Sequence, residues 1–472
     1  MSNSNNVSAR ERIASLLDDS SFVEVGSYVQ ARSTDFNVSA ADNPADGVVT
    51  GYGVIDGKLV YVYSQDASVF GGAIGEMHAK KIANIYNMAL KMGAPVIGLI
   101  DCAGLRLQEA TDALYGFGSI FKKQAYASGV IPQITGIFGN CGGGCSIIPA
   151  MSDFTFMTKD AKLFVNSPNA IKGNSEEKCD TASASYQAEQ AGSVDGVFDT
   201  EAEVLGQIRQ LVSILPSNNE EDALDENCQD DLNREIAGME GYVSDPRSAL
   251  ISLSDGNFFL ESKKDYATGV LTAFIKLNGA TVGCIANASD EMTICPNCTD
   301  KASEFIKFCD SFNIPILTLV NVKNFKATEC AEKRMSKAAG RLIFNYVNAT
   351  VPKVTVYTGE VFGTAGLAFA SKTTGADIVY AWPDAKFSTM KAEDAVSIIC
   401  ADELNKAKDK KAAKDELVKE FVDKQSSSLA AAKRGYIDDI ITPSATRKRV
   451  IAAFEMLYTK REERPLKKHG TV

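Results

Sequence analysis

GVIPQITGIFGNCGGG (129–144) and ATVPKVTVYTGEVFGT (349–364) read as one pattern written twice: a proline, a short buried strand, then a turn containing glycine. Setting Pro132 against Pro352 also sets Gly143 against Gly363, a spacing of 220 residues. Upstream, GAPVIGLIDCAG (93–104) meets NIPILTLVNVKN (313–324) at the same spacing through Pro95 and Pro315. Lys81 and Lys301 agree as well, inside a helical-looking stretch ahead of each first strand. A looser match places IDGKLVYVYSQD (55–66) beside LNGATVGCIANA (277–288). Four agreements at one spacing imply duplicated domains.

Each half then predicts an α/β order: β-hairpin, helix, short apolar strand, glycine turn, helix, second strand. VIGLID (96–101) and PQITGIFG (132–139) have the composition of fully buried strands, and 74–92 carries apolar residues at helical spacing. The halves are expected at 1–216 and 247–472. The stretch 217–246, acidic and poor in large apolar residues, reads as an exposed linker. Residues 401–424 predict a charged, solvent-facing helix, and 446–470 a helix with a basic extended end.

Composition narrows the function. Of 472 residues, 45% are apolar and 23% charged, as in an ordinary globular chain of two to four domains. A net charge of −11 argues against nucleic acid or an anionic membrane as main partner. With histidine only at 78 and 469, a His-based triad, a multi-His metal site and a His proton shuttle are poor fits. Eleven cysteines lack a disulfide-like framework, and the start has no apolar signal core, so a reduced, cytoplasmic protein is the simplest reading. Cys295 and Cys298 form the one CxxC, without a second pair to complete a zinc site, and no metal is expected. The uncharged run 124–152 contains Pro132, Pro149 and several glycines, which favours buried strand, loop and helix over a membrane span.

The chemistry concentrates where strands meet glycine. After a buried strand, Gly142, Gly143 and Gly144 let the backbone approach a ligand and aim its N–H groups outward, with a helix dipole behind them. Such a site suits a phosphate, or an oxyanion forming on a thioester carbonyl. Neither a GxxxxGK[ST] nor a GxGxxG phosphate fingerprint is present here. Glycine alone would equally serve tight helix–strand packing. VFGTAG (361–366) repeats the turn in the second half and favours two related sites.

These segments resemble the carboxyltransferase subunits of biotin-dependent acyl-CoA carboxylases, a family that includes propionyl-CoA carboxylase β chains and methylmalonyl-CoA decarboxylase α chains. The resemblance is carried by SFVEVGSY (21–28), SQDASVFGGAIGEMHAKKI (64–82), GAPVIGLIDCAGLRLQE (93–109), SGVIPQITGIFGNCGGG (128–144), FIKFCDSFNIP (305–315), YAWPDA (380–385) and GYIDDIITPSATR (435–447). It implies two crotonase-like domains, each a spiral of ββα units. It also implies a hexamer built as a trimer of dimers, with one subunit's first half facing another's second half. The implied reaction moves a carboxyl group between carboxybiotin, on a separate biotin carboxyl carrier protein, and the α-carbon of an acyl-CoA through a thioester enolate. A biotin carboxylase subunit, or membrane decarboxylase subunits, would complete the system.

By the same resemblance Gly143 and Gly144 face the acyl-CoA, and Thr364 and Ala365 face biotin. Gly71, Gly72, Gly104, Arg106, Gly142, Phe325 and Gly363 are the further positions expected around the ligands. The sequence departs from the family pattern mostly in its second half. Lys323, Asn324 and Phe325 stand for Pro-Gly-Phe, and Lys337 to Gly340 for Arg-His-Gly-Ala. Leu367 replaces an Asp, and Ala103 a Gly, while Thr364 keeps a backbone donor and narrows the space. Those departures motivate an alternative, a half-catalytic subunit paired with a competent paralogue. A crotonase-type hydrolase using Glu109 is a third reading. For His78, Arg106, Gln108 and Glu109 a structural role in salt bridges or strand-end hydrogen bonds competes with ligand contact.

Overall fold

One turn dipeptide with left-handed backbone closes the leading hairpin of each half. Asp56-Gly57 (φ 49° and 79°) closes the hairpin of Val48–Ile55 and Lys58–Gln65, and Asn278-Gly279 (φ 52° and 75°) closes Val270–Leu277 and Ala280–Asn287. Positive φ at both central residues matches the twist of antiparallel strands, which is why Asx-Gly pairs occupy such turns. The computed structural model describes residues 7–32, 44–171, 180–221 and 228–472. The chain divides into two compact units, Met1–Asp222 and Ala223–Val472.

From each hairpin the chain crosses through a helix into parallel strands. In the first unit Glu76–Met92 leads to Val96–Cys102, and Ala110–Ala127 to Gln133–Gly142. In the second, Pro296–Ser311 leads to Ile316–Val322, and Glu329–Asn348 to Lys353–Phe362. The central strands keep the 220-residue spacing at both ends: Val96 pairs with Gln133, and Ile316 with Lys353. Each unit thus holds an eight-stranded sheet, antiparallel at its hairpin side and parallel beyond it. The repeated strand–helix units agree with the α/β architecture expected from the sequence.

The lysines that betrayed the duplication have one job in both units. Lys81 Nζ donates to the carbonyls of Ala45 and Val48, and Lys301 Nζ to those of Lys263 and Tyr266. Each ties its helix to the chain entering the hairpin. A buried ammonium needs such acceptors, and burial pulls Lys81 down to about 8.

Two readings of the sequence change. Charged residues 401–424 do not form one helix; they divide into Ala401–Lys406 and Lys410–Phe421. Asp409 is the reason, since its carboxylate accepts the N–H groups of Lys411 and Ala412 and restarts the helix. The acidic stretch 217–246 is not wholly exposed. Its residues 222–227 lie outside the described ones, but Ile236 and Met239 enter the second unit's core. Arg234 binds the carbonyls of Ser252 and Ser254 there.

The duplication also sets up a pH prediction. Asp153 accepts the N–H of Gln133 at 2.8 Å, and Asp377 accepts that of Lys353 at 2.8 Å, at the start of equivalent strands. Asp377 is paired with Lys460 at 2.8 Å. Burial pushes the Asp153 carboxyl up to about 7 from 3.8. A raised acid pKa means the folded state holds the proton, so its stabilising contribution is lost as pH rises from about 4 through 7. Asp153→Asn keeps the acceptor and removes the titration. Its melting temperature relative to the unsubstituted protein is expected to rise between pH 5 and about 7 and to level off above that. A difference independent of pH would refute the assignment.

Candidate functional site

The glycine turns sit at the carboxyl ends of the central strands, where parallel sheets leave a crevice. In the first unit the strand Gln133–Gly142 ends and the chain turns at once into a single 3-10 turn, Gly143–Ser146. The N–H groups of Gly143 and Gly144 open that turn, so they have no acceptor within it. Gly143 has φ 60°, and a Cβ built on it meets no atom within 4 Å. Its outer side is therefore open space. Ser146 Oγ donates to the Gly143 carbonyl at 2.7 Å and holds that peptide in orientation.

Three loops converge here. Ala103 N–H donates to the Gly71 carbonyl at 2.9 Å, and Ile74 N–H to the Gly104 carbonyl at 2.9 Å. A Cβ on Gly104 would lie 3.2 Å from the Gly142 carbonyl. One on Gly72 would lie 2.0 Å from the Asp101 carbonyl, a distance no side chain tolerates. Gly71, Gly72, Gly104, Gly142, Gly143 and Gly144 are thus gathered at one strand end, with Ala103 exposed among them. Beneath them Cys102, Cys141 and Cys145 are fully buried. Hydrogen bonding to Cys145 together with burial keeps the Cys102 thiol protonated.

Arg106 belongs to the scaffold of this site. Its Nη1 pairs with Asp46 and with Glu109 at 2.7 Å, its Nη2 donates to the Ala73 carbonyl at 2.9 Å, and the guanidinium covers the Phe70 ring. All three charged side chains are buried. Glu109 spends its other oxygen on the N–H of Glu76, at the start of the helix Glu76–Met92. His78 is also enclosed: its N–H donates to the Asp46 carboxylate at 2.7 Å, and burial holds the imidazole neutral. Of the four residues with competing roles, only Gln108 is exposed. Asp46 organises this group, and sequence reasoning missed it because nothing local in PADG marks a buried anion.

The second unit repeats the frame. Strand Lys353–Phe362 runs into the helix Gly363–Leu367, and Gly363 has φ 57°. By strand register Gly363 answers Gly143, Thr364 answers Gly144, and Ala365 answers Cys145. The expected pair Thr364 and Ala365 is thus one position later than the strict counterpart, yet all three N–H groups lie in the helix's unsatisfied first turn. Thr364 is exposed and Ala365 buried. Phe325 lies in the two-residue strand Asn324–Phe325, beside that helix. Its pairing with Ile294 repeats that of Leu105 with Ile74. Lys323, from the departing segment, pairs with Glu360 at 3.1 Å.

Both turns therefore open on backbone N–H groups, the donors that an oxyanion or a carbonyl acceptor requires. Among the described residues no group of three metal-ligating side chains is found, and no helix is long and apolar enough to cross a membrane. The carboxyl transferase domain model matches residues 2–472. The chain belongs to the carboxyl transferase family. It is 40% identical to the methylmalonyl-CoA decarboxylase subunit alpha of Propionigenium modestum, over 99% of this chain and 93% of that one. It is 41% identical to the propionyl-CoA carboxylase beta chain of Cereibacter sphaeroides, with the same coverage. Among solved structures, the hexameric transcarboxylase 12S with methylmalonyl-CoA and methylmalonic acid bound matches with TM-score 0.92 and 38% identity, over 98% of this chain and 92% of that one. The two crotonase-like domains expected from the resemblance are therefore the fold of this chain.

Proposed function

We propose that this chain is the carboxyltransferase component of a biotin-dependent acyl-CoA carboxylase complex. The observation that carries the reading is the pair of glycine-led turns at matching strand ends, each opening on N–H groups that have no acceptor within the turn itself. An α-proton of a thioester is too weakly acidic to leave unaided; donors at the carbonyl oxygen stabilise the enolate by several kcal/mol. Gly143 and Gly144 supply those donors, and the loops through Gly71, Gly72 and Gly104 bring the CoA thioester close to them.

Carboxybiotin, delivered by a carrier protein, supplies or accepts the carboxyl group. The first turn Gly363–Ala365 would offer its ureido carbonyl the N–H groups that so short a helix leaves without an acceptor of its own. Phe325 borders that turn. In the working hexamer one copy's first half supplies the acyl side and another's second half the biotin side. The buried, fully engaged Glu109 counts against acid–base hydrolysis.

Near-equal identity to a decarboxylase subunit and to a carboxylase chain supports a second reading, a subunit of an acyl-CoA decarboxylase working in the opposite direction. The reverse half-reaction tests the site in either case. Purified protein is incubated with malonyl-CoA, methylmalonyl-CoA and longer carboxylated acyl-CoAs, with and without free biotin. Biotin-dependent decarboxylation is expected, with methylmalonyl-CoA the best substrate. Binding without turnover, even with carrier protein added, would instead establish the half-catalytic subunit.

A further inference from the structure

The second unit carries a feature with no counterpart in the first. Where Gly75 begins the helix Glu76–Met92, Cys295 begins the helix Pro296–Ser311, with Cys298 in its first turn. The two sulfurs stand 3.0 Å apart, and Cys295 Sγ also accepts the Cys298 N–H at 3.4 Å. Their backbone positions, a helix cap and the third helical residue, span a separation that a disulfide bridges without rearrangement. Cys295 is partly exposed, whereas Cys298 is buried with its sulfur toward the Ala267 carbonyl at 3.7 Å. That is the arrangement of an attacking thiol and a resolving thiol.

Electrostatics point the same way. The hydrogen bond from Cys298 pulls the Cys295 thiol below its ordinary range, helped by the N–H groups of the helix start and by Lys326. The same hydrogen bond holds the proton on Cys298. The cluster Cys102, Cys141 and Cys145 also brings thiols together, but all three are buried and none offers a sulfur to an oxidant.

We infer that Cys295 and Cys298 form a reversible dithiol–disulfide site whose oxidant is hydrogen peroxide. The Cys295 thiolate attacks one peroxide oxygen; the O–O bond breaks, and the departing hydroxide takes a proton to become water. The resulting sulfenic acid is attacked by the Cys298 sulfur. The S–O bond breaks, an S–S bond forms, and the hydroxyl leaves with the Cys298 proton as a second water. Two electrons pass from the sulfurs to the peroxide, and a thiol reductant returns them. The strand edge before Cys295 holds the loop at Phe325: Met292 and Ile294 carbonyls accept the N–H groups of Lys323 and Lys326. The disulfide therefore locks the corner from which that loop hangs.

The test uses the intact assembled protein, treated with hydrogen peroxide, alkylated and mapped by peptide mass. The peptide holding both residues is expected to lose two hydrogens and both alkylation sites, and to regain them with dithiothreitol. In Cys298→Ser the disulfide is lost completely and Cys295 instead forms a dimedone adduct; the cycle in the unsubstituted protein stands as evidence should that variant fold poorly. Two alkylatable thiols at 295 and 298 after peroxide has oxidised the exposed Cys330 would overturn the inference. So would oxidation of Cys295 directly to sulfinic acid with no disulfide.

Discussion

Gly143→Val is expected to lower kcat/KM for biotin-dependent decarboxylation at least about 100-fold while the protein still folds. The valine keeps the N–H, so the loss comes from position and access. No atom lies within 4 Å of the added Cβ, so the branched side chain stands in open space, on the side where the proposed site takes the thioester carbonyl. A φ of 60° adds backbone strain of about 1–2 kcal/mol and tilts the amide. Melting temperature should therefore fall by only a few degrees. Turnover at the unsubstituted level would remove Gly143 from the acyl site. The contrast is Gly72→Ala, whose Cβ would lie 2.0 Å from the Asp101 carbonyl. There folding should suffer together with activity, because the obstruction is inside the scaffold.

Arg106→Met should cost about 3–5 kcal/mol of stability, because it leaves Asp46 and Glu109 buried without their counter-charge. Burial already raises the Asp46 carboxyl, and Arg106 opposes that shift. Without the guanidinium the Asp46 carboxyl would take up a proton more readily on folding. The stability gap between variant and parent should consequently narrow as pH falls from 8 toward 5. The measurement is denaturant unfolding across that range. A CoA contact would behave differently: KM would rise, while stability and its pH dependence stayed unchanged. The second pattern would move Arg106 from scaffold to ligand site.

Much of this architecture was legible because duplication leaves a register. Prolines at the start of equivalent strands, glycines at their ends and a lysine in each preceding helix recur at one spacing, since each has one structural duty performed twice. The break at Asp409 was harder to read: a charged run at helical spacing looks continuous unless the side chain that caps it is weighed against helix propensity. Ile236 and Met239 were hidden by their acidic surroundings, although two apolar residues suffice to anchor a segment in the core. The strand ends were visible as glycine clusters. That Gly143 is open on its outer side while Gly72 is closed could not be read, since both are glycines of positive φ and differ only in what lies opposite.

By itself the sequence determined the two-fold α/β repeat and the strands that end in glycine, in a chain with two histidines. These follow from local rules: periodicity, turn residues and the residue types at hand. Only the tertiary structure decided which polar residues are scaffold. Asp46, Arg106 and Glu109 meet across 63 residues of chain, and Glu109 is absorbed into capping the helix at Glu76. It likewise set Cys295 against Cys298, the one residue partly exposed and the other enclosed. Burial and partner are properties of residues brought together from distant parts of the chain, and they determine whether a charge braces a loop or a thiol can react.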